Sequence, residues 1–115
     1  MKITIRAVGD ARILDCNGKI TMGEPTMALR NTIHDLLEGG TTQIILNLAH
    51  ISFIDSSGIG ELVHSFNSVS NVGGQFKLLN LKKNLWDPLM ITKLLTVFET
   101  YDNEKAALSS FKQAV

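Results

Sequence analysis

The chain has 115 residues, 44% of them hydrophobic, which suits one domain whose core needs neither metal nor disulfide support. Eleven basic against eleven acidic residues leave a formal net charge of zero, removing any general attraction to nucleic acid or to an anionic membrane. Cys16 is the single cysteine, so an internal disulfide and a cysteine-rich zinc site are both excluded.

The opening run Met1-Lys2-Ile3-Thr4-Ile5-Arg6 alternates in the manner of a strand rather than forming the continuous apolar stretch of a signal peptide. No segment holds eighteen successive apolar residues, so a soluble cytoplasmic protein is expected. Residues 3–8 and 11–17 read as two strands joined at Gly9-Asp10, an antiparallel start, with Cys16 buried in the second. From about Glu24 to Glu38, Leu29, Ile33, Leu36 and Leu37 fall on one face of a helix, with Pro25 tolerated in its first turn. Gly39-Gly40-Thr41-Thr42 then turns the chain into Gln43-Ile44-Ile45-Leu46-Asn47-Leu48, a buried strand.

That strand leads through Ala49-His50-Ile51 to Ile54-Asp55-Ser56-Ser57-Gly58-Ile59-Gly60, where two hydroxyls and a carboxylate stand at a strand-to-helix junction. Ile59, Leu62, Val63, Phe66 and Val69 follow at helical spacing, which predicts a helix over residues 57–70. Its first backbone N–H groups lack intrahelical partners and carry partial positive charge, so a phosphoserine there is well accommodated. After Asn71-Val72-Gly73-Gly74, Phe76-Lys77-Leu78-Leu79 reads as a strand, Leu85 to Leu94 as a helix, Val97 to Tyr101 as a strand, and Glu104 to Phe111 as a closing helix. Alternating strands and helices after residue 43 place the serine loop at the carboxyl end of a mainly parallel sheet, the usual binding edge.

On the residues alone, Asp55-Ser56-Ser57-Gly58 also fits a plain helix start, with capping side chains and glycines that permit close packing. Serine hydrolysis finds little support. The Gly-x-Ser-x-Gly elbow is missing around both serines, and His64, seven residues beyond Ser57, stands roughly 10 Å along the helix. His34 and His50 sit in no catalytic spacing, no histidine and acid pattern suits a metal, and no Gly-x-x-x-x-Gly-Lys phosphate loop exists. Lys82-Lys83 beside Trp86 reads as a solvated helix start with a core anchor, so no nucleic-acid contact, metal or cofactor is expected.

Taken together, Ile44-Ile45-Leu46-Asn47-Leu48, the Ile54 to Gly60 motif, the Gly73-Gly74 turn before Phe76-Lys77-Leu78, and Leu94-x-x-Val97-Phe98-x-x-Tyr101 with Glu104 and Ala107-Leu108 resemble a STAS domain of the anti-sigma factor antagonist family. The likeness spans nearly the whole chain. It implies one α/β domain over residues 1–115, a mixed β-sheet packed with about four α-helices. It also implies a bacterial binding module, not an enzyme, that engages an anti-sigma factor with serine-kinase activity and so frees a sigma factor. Ser56, directly after the motif aspartate, takes the position of the phosphorylated serine, with Ser57 the lesser candidate; a phosphoserine phosphatase would reset it. Thr21, Asp55, Ser56, Ser57, Gly58 and Gly60 are the implied partner-contact residues, with Ser57 and Asp55 shaping the helix start and the two glycines allowing the kinase's approach. Two positions depart from the family pattern: Thr21 stands where an acidic residue is common, and Lys93 where Gly precedes Leu94. The alternative from the same resemblance is an unphosphorylated STAS scaffold docking on a transporter or signalling complex.

Overall fold

The computed structural model describes residues 1–82, 85 and 97–111. Five strands form one sheet in the order of the chain: β1 (Lys2–Val8), β2 (Ala11–Ile20), β3 (Gln43–Ile54), β4 (Gln75–Leu79) and β5 (Glu99–Tyr101). β1 and β2 pair antiparallel through the Gly9-Asp10 turn, where Gly9 takes a φ of 59°. Every later pairing is parallel. The helices are α1 (Glu24–Glu38), α2 (Ser56–Asn71) and α3 (Glu104–Ser109), so the expected mixed α/β sheet architecture is the one observed. A fourth helix expected over Leu85 to Leu94 lies outside the described residues apart from Leu85, which is buried. So do Lys83, Trp86 and Lys93.

The side-chain alternation of the central strands assigns the two faces. Leu14 and Cys16 of β2, Ile44, Leu46 and Leu48 of β3, and Phe76 and Leu78 of β4 join Leu29 and Ile33 of α1 and Leu62 and Val69 of α2 in the larger core cluster. Ile13, Ile45 and Leu79 point the other way and pack on Ala107 of α3 and on Phe111. Cys16 is buried as expected, and that burial pushes its thiol up to about 12.

β3 is longer than its apolar run. It continues through Ala49 to Ile54 because the β2–β3 register shifts twice, between Asp15 and Asn17 and between Gly18 and Lys19, and these irregularities keep Ile51 and Ile54 turned inward. Alternation read from residue 43 alone loses phase at such a bulge. The extension carries the chain to the far end of β2 before α2 begins, which is what places the serine pair beside the β2–α1 link.

Polar side chains tie α3 to its face of the sheet. Arg6 donates to Asp15 and to both oxygens of Glu104, ninety-eight residues away in sequence, and Asn47 adds a 2.8 Å bond to Asp15. Asn80, at a left-handed φ of 59°, donates in turn to Asn47 at 3.0 Å. Lys77, in the middle of β4, is fully buried; its ammonium meets the Glu99 carboxylate and the Ser110 carbonyl and lies over the Phe111 ring at 4.9 Å. A buried amine is tolerable only with such partners.

The Arg6 hydrogen bond is the main reason the Asp15 and Glu104 carboxyls sit below their ordinary range, burial opposing it in both. A carboxyl with a depressed folded pKa stabilises the fold fully above its unfolded value and loses that contribution as pH falls through the folded one. The urea midpoint should therefore fall between about pH 6 and about pH 3, and Arg6→Gln should shrink that fall. An identical acid profile in the variant would place the acid sensitivity elsewhere.

Candidate functional site

Where β3 stops, Asp55 takes an extended backbone (φ −89°, ψ −177°) and becomes the N-cap of α2. All of its polar groups are used inside the chain. Its N–H donates to the Ile20 carbonyl at 3.2 Å and its carbonyl accepts from Ile59 N–H at 2.9 Å. Oδ1 accepts from Gly58 N–H at 2.8 Å, while Oδ2 accepts from Met22 N–H at 3.1 Å. The cap is thus Asp55 and not Ser57, because the residue with non-helical backbone immediately before the first helical turn is the one whose side chain can fold back onto Gly58.

Ser56 is the first residue of α2 and is exposed; Ser57, one step on, is half-buried. Gly60 lies four residues beyond Ser56, hence beside it on the helix surface, and is also exposed. Gly58 is buried: a Cβ built there would fall on the Ile20 carbonyl oxygen and lie 2.7 Å from Ile54 Cγ2. The close approach that Gly58 permits is internal, between α2 and the end of β2. Thr21 is half-buried in the β2–α1 link, adjacent to the residue that Asp55 holds. The six residues singled out from the sequence are therefore gathered at one edge of the sheet, five of them at least partly exposed and Gly58 packed beneath.

Two further residues belong to this edge and carried no motif. Met22 is 76% exposed and Phe53 51% exposed, on the two segments that Asp55 and Ile20 join. The sequence signal was slight: Phe53 lies in the strand just before the capping motif, and Met22 sits in a turn.

Both Asp55 oxygens accept backbone N–H groups, and His64 is exposed two turns along α2, in a cleft of about 360 Å³ between α1 and α2 that Arg30 and His34 also line. Arg30 is occupied there by buried Glu61 at 2.9 Å, and His34 pairs with Glu38 at 3.2 Å. Among the described residues no three His, Cys, Asp or Glu side chains converge as metal ligands, and no helix is long and apolar enough to cross a membrane. Ser56, by contrast, is exposed on the first residue of α2, where the first N–H groups of a helix lack intrahelical carbonyl partners.

The sequence profile of the STAS domain matches residues 2–107. The chain belongs to the STAS domain family. A Thermotoga neapolitana protein assigned by name to the anti-sigma factor antagonists is 30% identical over 103 residues, covering 90% of this chain and 91% of its own. The fold is shared with a Thermotoga maritima protein of the same assignment (TM-score 0.88, 24% identity, 96% and 95% of the two chains) and with the Bacillus cell fate determinant SpoIIAA in its phosphorylated form (TM-score 0.74, 22% identity, 94% and 97%). This STAS chain is thus placed among the anti-sigma factor antagonists.

The two glycines of the motif should separate on mutation. Gly58→Ala, which must push its methyl into the Ile20 carbonyl, is expected to cost at least about 2 kcal/mol. Gly60→Ala, which meets nothing within 4 Å, should leave stability unchanged or raise it by up to about 1 kcal/mol. Urea unfolding of the pair decides it, and equal costs would contradict the packing described for Gly58.

Proposed function

We propose that the unphosphorylated protein binds an anti-sigma factor with serine-kinase activity, so releasing a sigma factor, and that phosphorylation of Ser56 by that partner ends the binding. The observation that carries the reading is the exposed Ser56 hydroxyl on the first residue of α2, directly after an aspartate that is wholly committed to holding the loop. Support comes from the family, whose named relatives are antagonists of this kind and one of whose structural neighbours is described as phosphorylated. Ser57, half-buried, is the poorer acceptor. The chain is then a substrate and binding module in the bacterial cytoplasm, reset by a phosphoserine phosphatase.

The physics of the switch is local. A phosphate adds about −1.5 to −2 charge and three acceptor oxygens at a helix N-terminus that tolerates an anion, so the domain itself need not refold. The partner, fitted to a neutral hydroxyl, meets an anion that must be desolvated against it. A hundredfold loss of affinity requires only about 2.7 kcal/mol, well within the cost of an unmatched interfacial charge. Thr21, Asp55, Ser57, Gly58 and Gly60 frame this contact: Thr21 offers a hydroxyl where the family pattern often has an acidic residue, Asp55 and Gly58 set the loop's shape from within, and Gly60 leaves room beside Ser56.

Incubation with ATP and an anti-sigma factor kinase that binds this chain, followed by phosphosite mapping, should place phosphate mainly on Ser56. Phosphate on Ser57, or on neither serine, would remove the reading. In calorimetric titration against the same partner, Ser56→Ala should bind as the wild type does, while Ser56→Asp should bind more weakly, though incompletely so because one carboxylate reproduces neither the full charge nor the oxygens of phosphate. Equal affinities for all three would favour the unphosphorylated scaffold instead.

A further inference from the structure

Among the described residues, Asp55 is the side chain that hydrogen-bonds to both the β2–α1 link and the first turn of α2, with a separate oxygen for each: Oδ1 accepts from Gly58 N–H and Oδ2 from Met22 N–H. Both donors are backbone amides, so neither tie depends on a neighbouring side chain. We propose that Asp55 is a positioning residue that transmits the charge state of residue 56 to the β2–α1 loop, so that phosphorylation changes the placement of exposed Met22 as well as the charge of Ser56. The inference rests on Ser56 being the acceptor and adds how its modification is read beyond the serine itself.

The argument is one of competition between anions. An unmodified α2 has one carboxylate at its start, and the helix N-terminus together with Met22 N–H satisfies it. A phosphate attached to the adjacent residue brings up to two more negative charges to the same helix start, whose first-turn N–H groups attract anions. It both competes for the Gly58 donor and repels the carboxylate that holds it. Asp55 is half-exposed, so rotation into water is open to it. Once it turns away, Met22 N–H loses its acceptor and finds solvent. Nothing else need move: the Asp55 N–H bond to Ile20 and the seating of Gly58 beneath the Ile20 carbonyl are backbone contacts independent of the carboxylate. Of the apolar surface flanking Ser56, the part on the β2–α1 link is therefore tied down only while Asp55 stays in place. Phe53, on β3, is untouched by the exchange and serves as an internal reference.

Phosphoserine installed at position 56 through an expanded genetic code allows the test without any kinase or partner. Amide hydrogen exchange at Met22, followed by NMR, is compared in the unmodified and phosphorylated chain, each with Asp55 intact and with Asp55→Asn. Asparagine remains a strong cap but has one acceptor oxygen, so it cannot serve both amides. Phosphate should speed Met22 exchange about fivefold or more with Asp55 present, the scale of one lost hydrogen bond. With Asp55→Asn, Met22 should already exchange faster, and phosphate should add no more than about twofold. Asp55→Ser, another good cap with a single oxygen, supplies the same background should the first variant fold poorly. Met22 exchange unmoved by phosphate, or accelerated equally in every background, overturns the proposal. Because the phosphate is installed rather than transferred, that result leaves Ser56 as acceptor untouched, and phosphosite mapping judges the acceptor separately.

Discussion

The seating of the first turn of α2 against the end of β2 is the contact on which the serine-bearing edge depends. Gly58 stands where any side chain would collide with the Ile20 carbonyl, and Asp55 N–H bonds to that same carbonyl at 3.2 Å. With both in place, β3 can run its full length beside β2 and release the chain into a helix with no intervening loop. Ser56 then has no freedom to withdraw: it must occupy the first helical position, outside the packed interface, on a backbone fixed on both sides. A longer or looser junction would present a mobile serine, and the partner would have to order it at an entropic cost. Here the ordering is done by the fold.

In the proposed switch, that arrangement would let one phosphate suffice as a signal. The body of the domain is held by apolar contacts on both sheet faces and by the Arg6 and Lys77 ion clusters around α3; of the serine motif only Ile54 and Ile59 enter these contacts, and neither serine does. Modification at Ser56 consequently meets the helix start and the outer surface, not the core. The free energy of the added charge is spent where a partner would touch, and stability and signalling are separated in space by the sheet itself.

Much of this was legible in the residues. The hairpin at Gly9-Asp10, α1 from Glu24 to Glu38 and the helix after the serine pair follow from turn chemistry and from apolar spacing that the structure reproduces with Leu29, Ile33, Leu62 and Val69 inside. The bulged second half of β3 was not, because a register shift alters the alternation on which a strand is recognised. Nor were Lys77 and Glu61, charged residues whose burial is set by partners distant in sequence, Glu99 for one and Arg30 for the other. At the site, the motif gave the place and the candidate residues. It could not tell which side chain caps the helix, since Asp55 and Ser57 are both good caps and only backbone geometry chooses between them. Nor could it reveal that Met22 and Phe53 are exposed near this end of the sheet, because that follows from β2 and β3 ending side by side.

The central claim is that Ser56 belongs to a surface mounted on an unyielding domain. Its most direct test is the unfolding free energy of the chain carrying phosphoserine at position 56, measured by urea titration with far-UV circular dichroism against the unmodified chain. The account predicts a single cooperative transition in both, equal helix signal, and a difference of no more than about 2 kcal/mol, the range a helix-terminal anion commands. Loss of helix signal or of cooperativity on phosphorylation would contradict it and show that the modification acts by undoing the fold.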